Sequence, residues 1–103
     1  MARIIQAACA QMGPIAKSET RKDTVRRLVA MMRQAKERGA ELVVFTEMAL
    51  TTFFPRWFME DQAEVDSFFE REMPSQETAP LFAAARRLRL GFMLGYAELA
   101  QQD

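Results

Sequence analysis

The sequence predicts an α/β fold with its elements in the order β-α-β-α-α-β, and three observations carry that prediction. Two short runs, Arg3 to Gln11 (RIIQAACAQ) and Leu42 to Phe45 (LVVF), lack Gly and Pro and have the apolar character of strands covered on both faces. Between them Val25, Leu28, Val29, Met32 and Ala35 recur at helical spacing, which gives a helix of roughly 18 residues. A strand, a helix of that length and a second buried strand form a βαβ unit, whose right-handed crossover sets the two strands parallel.

Each element has its own boundary signals. The first strand ends at the Met12-Gly13-Pro14 turn, and Thr20-Arg-Lys-Asp23 opens the helix as a capping box, with Gly39 as its stop. Glu47 then lies at or just past the carboxyl end of the second strand, where open α/β sheets place their chemistry. After the Phe53-Phe54-Pro55 loop, Asp61 to Arg71 (DQAEVDSFFER) predicts a short helix with acids in its first turn. Thr78-Ala79-Pro80 opens another, with Leu81, Ala84, Ala85 and Leu88 on one face. Gly91 to Leu99 (GFMLGYAEL) is the third strand. Three parallel strands leave a doubly wound sheet short of cover, so the 103 residues are expected to be part of a larger domain.

Composition removes several functional classes. Half of the residues are hydrophobic, as in an ordinary globular domain, and fourteen basic residues balance fourteen acidic ones. The charge footprint of a general nucleic-acid binder is therefore missing. No apolar stretch reaches the ~20 residues of a membrane span, and the run at the start is too short for a signal peptide, so a cytoplasmic location is expected. One cysteine, Cys9, excludes an internal disulfide and agrees with a reducing compartment. Histidine is absent, which excludes a Ser-His-Asp triad, a Cys-His pair and a His-based zinc site.

The remaining candidates each have a structural alternative. Glu47, a carboxylate beside an apolar strand end, fits general-base work, and it also fits a solvated acid at a loop start. Cys9 reads as a small residue buried within the first strand and is not offered as a nucleophile. Glu60, Asp61, Glu64 and Asp66 match no calcium loop and suit a helix start, so no metal is expected. Arg86, Arg87 and Arg89 complement a helix carboxyl end. Phe53 and Phe54, with Trp57, Phe58, Phe68 and Phe69, read as packing; the first two also qualify as pocket walls because they follow Glu47 so closely. Glu98 repeats the strand-end position weakly and is expected to face solvent.

The stretch VVFTEMALTTFFPRW resembles the nitrilase, or carbon-nitrogen hydrolase, superfamily. Within it, QMGPIA (11–16), TTFFPRW (51–57), DSFFEREMP (66–74) and GFMLGYAEL (91–99) are most similar to N-carbamoyl-D-amino-acid amidohydrolases, and the likeness runs from Ile4 to Leu99. The resemblance implies an α-β-β-α sandwich of which this chain is the amino-terminal portion, assembly into homodimers or larger oligomers, and a Glu-Lys-Cys catalytic set that needs no cofactor. Glu47 matches the general base of that set. The nucleophilic cysteine and the oxyanion-stabilising lysine have no match, because Lys17, Lys22 and Lys36 all precede Glu47. Thr46 stands where the family usually has a proline, which leaves that strand end less constrained. The expected reaction of a complete enzyme is hydrolysis of an N-carbamoyl amino acid to the amino acid, ammonia and carbon dioxide. The 103 residues alone are expected to be inactive. Nitrilase, amidase and ureidopropionase branches share Glu47, and a small non-enzymatic α/β interaction module is the alternative from another class.

Overall fold

The computed structural model describes residues 2–100. The first strand, β1, is Ala7–Ala10, shorter than the apolar run that predicts it. Helix α1 is Arg21–Glu37. Thr20 accepts from the Asp23 backbone N–H, and the Asp23 carboxylate accepts from the Thr20 N–H, which closes the predicted capping box. Gly39 ends it at φ 88°, a left-handed conformation that glycine reaches without a Cβ clash. Strand β2 is Leu42–Phe45, as predicted.

The second half is less regular than the sequence suggests. Helix α2 is confined to Gln62–Asp66, capped by Asp61 through the Ala63 N–H. Helix α3, Ala79–Leu88, begins with Pro80 in its first turn and ends at Arg89 in the left-handed region. Strand β3 is Gly91–Met93, after which the chain continues extended and meets Glu70 in an isolated parallel bridge at Glu98.

The three strands pair in parallel in the order β1-β2-β3. Their register aligns Ala8, Val43 and Phe92 across one face, and Cys9, Val44 and Met93 across the other. Helices α1 and α3 pack against each other and cover the first face only, where Leu28, Met32, Leu81 and Val43 are fully buried. Each of these aliphatic side chains contributes about 1.5–3 kcal/mol by leaving water. The expectation of strands covered on both faces is thereby corrected. Cys9 is exposed rather than buried, because within the described residues nothing packs on its face of β1.

Candidate functional site at the end of the middle strand

The site is built where β2 runs out. Val43 and Phe45 are held in the core, Thr46 and Glu47 emerge into solvent, and Ala49 and Leu50 return to the interior at 0 % and 2 % exposure. This short excursion between two buried anchors fixes the Glu47 backbone while leaving its carboxylate free. The returning segment is tied to the extended chain after β3 by a 3.0 Å hydrogen bond from the Ala49 N–H to the Gly95 carbonyl. Among the described residues no side chain pairs with or donates to Glu47. It is a free carboxylate on the carboxyl rim of the central strand, the position from which a base can act on a group brought to it.

A shallow cleft beside it is lined by Cys9, Gln11, Val44 and Thr46. Cys9 therefore opens onto the same end of the sheet as Glu47, although Val44, its register partner, is three residues short of that acid. No hydrogen bond joins the two side chains.

The aromatic loop that follows divides into an inward and an outward set. Phe54 is buried, stacked on Phe68 with ring centres 5.3 Å apart and an interplanar angle of 9°, and tilted against Phe69 at 5.4 Å. Phe53, its neighbour, is 51 % exposed. Trp57 donates a long bond of 3.5 Å to the buried Thr52 hydroxyl, and its ring meets the Lys17 ammonium at 5.4 Å and the Arg56 guanidinium at 4.9 Å. The loop is thus anchored from below by Phe54 and from its far end by Trp57.

What holds the aromatic platform is a clamp that the sequence reading missed. Arg21, at the start of α1, pairs through Nε with Glu70 and donates from Nη2 to the carbonyls of Ser67 at 2.7 Å and Phe69 at 3.3 Å. Glu70 is only 4 % exposed, and its backbone bonds to Ala97 and Leu99 on the extended strand after β3. One arginine therefore fixes the turn that carries Phe68 and Phe69 under Phe54. No local pattern announces this clamp, because its partners are 49 positions apart.

The other sequence candidates have structural work. Asp61 caps α2, Glu64 bridges to Lys17 at 3.0 Å and Asp66 accepts from Gln62, so three of the four acids have partners of their own, and Glu60 is exposed. Arg86 and Arg87 occupy the last turn of α3. Glu98 is exposed, as expected. No group of described residues is arranged to hold a metal ion, and no helix among them is long and apolar enough to cross a membrane.

Fold and rim acid together define a class: a parallel α/β protein with a free carboxylate just past the carboxyl end of its central strand. The model of the carbon-nitrogen hydrolase family matches residues 6–103, and the chain belongs to that family. The three-stranded parallel sheet and its helices are part of the α/β fold of these hydrolases.

Proposed function

We propose that the chain serves hydrolysis of N-carbamoyl amino acids, with Glu47 as general base. The observation that carries this reading is the free Glu47 carboxylate on the rim of β2, in a chain whose family acts on carbon-nitrogen bonds. In the family's chemistry a thiolate attacks the carbamoyl carbon, a lysine stabilises the tetrahedral oxyanion, and the base accepts the thiol proton before helping to activate water. The exposed rim position of Glu47 supports the base role. The 51–57 loop (TTFFPRW) favours the carbamoylase branch over nitrilases, amidases and ureidopropionases. Of the two phenylalanines singled out there, Phe53 is free to meet a substrate, whereas Phe54 supports the loop from beneath.

No lysine or cysteine follows Glu47 in the 103 residues, and Lys17 is engaged with Glu64 and Trp57. The chain by itself supplies one member of the catalytic set and is proposed to be inactive alone. Two assays of ammonia release from N-carbamoyl amino acids test the reading. The purified chain is expected to give none. Joined to the lysine- and cysteine-bearing portion of a carbon-nitrogen hydrolase, it is expected to turn over and to lose roughly 10²–10⁴ in kcat on Glu47→Gln. Equal rates for the two joined proteins contradict the role of Glu47; release by the chain alone that Glu47→Gln abolishes contradicts its dependence on partners.

A second reading rests on the uncovered sheet face, where Cys9, Gly91 and Met93 are exposed. A non-enzymatic module that buries this face in an assembly would show a discrete oligomer and no dependence of any hydrolysis on Glu47.

A further inference from the structure

The geometry points to Gly95 as the positioning residue that sets where Glu47 stands on the rim, an inference that rests on the reading of Glu47 as the base. Gly95 is not at a positive-φ position, so conformational freedom does not explain it. Space does. A Cβ built on Gly95 would lie 2.7 Å from the Glu47 Cα, 2.8 Å from its carbonyl carbon and 2.9 Å from its carbonyl oxygen. All three are backbone atoms, so no side-chain rotation relieves the clash, and the Gly95 and Glu47 main chains must move apart.

Other glycines of the chain lack this property. A Cβ on Gly91, four residues earlier, would meet the Leu42 Cδ1 at 3.4 Å, an ordinary contact with the tip of a flexible side chain, and one on Gly13 would meet the Arg27 Nη2 at 3.7 Å. The Gly95 carbonyl also accepts the Ala49 N–H at 3.0 Å. Gly95 therefore touches the acid's own backbone on one side and grips the buried residue two positions later on the other. A glycine within an apolar strand pattern is the sequence mark of such a close backbone approach. Misplacing a catalytic group by about 1 Å is enough to cost a reaction roughly 10²-fold, so a contact of this kind bears on chemistry as well as on packing.

The test compares Gly95→Ala with Gly91→Ala in the isotope-labelled 103-residue chain, read by the Glu47 Cα and carboxyl carbon resonances and by Ala49 amide exchange. Gly91→Ala is expected to leave all three in place. Gly95→Ala is expected to displace both Glu47 resonances and to speed Ala49 exchange roughly tenfold, with β1 resonances unmoved. A lower melting temperature with the Glu47 carbons unmoved would make Gly95 merely structural and overturn the inference, as would equal displacement by Gly91→Ala. Should Gly95→Ala fail to fold, the unsubstituted chain decides: a cross-relaxation peak between the α-protons of Gly95 and Glu47 supports the contact, and its absence overturns it. Failure of the base reading would appear separately, as undiminished hydrolysis by the joined Glu47→Gln protein.

Discussion

The two faces of the sheet have opposite fates, and adjacent residues of β2 record the difference. Val43 and Phe45 are 0 % and 6 % exposed beneath α1 and α3, whereas Leu42 and Val44 are only half-buried and lie beside Ala7, Cys9, Gly91 and Met93, the last 59 % exposed. The covered face carries the folding energy of the described chain; the open face leaves Ala7, Cys9, Gly91 and Met93 exposed. Glu47 emerges just past the end of β2, between the buried Phe45 and Ala49.

Charge substitutions on neighbouring β2 residues should break this comparison most sharply. Val43→Asp buries an unpaired carboxylate in the core and is expected to abolish the cooperative melt, at a cost of several kcal/mol. Val44→Asp, one residue on, is expected to leave the melt cooperative. Circular dichroism melts of both variants check the contrast, and similar losses would show that the two faces are equally buried.

The next effect concerns the clamp that fastens the aromatic platform to the covered side. Arg21→Ala leaves Glu70 buried without its cation and is expected to destabilise the chain by about 3 kcal/mol, measured by urea unfolding. Arg21→Lys should recover only part of this, since a single ammonium cannot replace the guanidinium's bonds to Glu70 and to the Ser67 and Phe69 carbonyls. A smaller loss, about 1 kcal/mol, is expected for Thr20→Ala, which removes the α1 cap.

The smallest effect is on acid stability. The Glu19 carboxyl is held below its ordinary range by the Ala16 N–H and then by Arg27, and that of Asp23 by the Thr20 hydroxyl and backbone N–H. Because folding lowers both, they stabilise the fold above the ordinary carboxylate values, and that contribution is lost as pH falls through the folded ones. The melting temperature should therefore drop on acidification below about pH 4, and less steeply in Asp23→Asn. Asp23 is exposed and Glu19 only partly buried, so the difference is small; parallel pH profiles would remove the helix start from the account.

Legibility from the sequence followed the range of the interactions. The capping box of α1, the Gly39 stop, β2 and the Pro80 start of α3 depend on neighbours within a few positions, and each was readable. The rim position of Glu47 was readable too, since it follows from strand length and parallel pairing. The lengths of β1 and β3 were overestimated because apolar character persists beyond the residues that find a ladder partner. Cys9 was expected to be buried because a pattern of small apolar residues reports the capacity for burial and not the presence of a covering layer. The Arg21–Glu70 clamp and the Gly95 contact with Glu47 join distant parts of the chain, and neither leaves a local signature beyond a glycine in a strand-like run.

Light scattering on the purified chain, set beside Val44→Asp, tests the central claim of one finished and one open face most directly. The account predicts that the unsubstituted chain self-associates and binds a hydrophobic dye, and that Val44→Asp shifts it toward monomer with less dye bound while the melt is retained. A monodisperse monomer that binds no dye, unchanged by Val44→Asp, would contradict it.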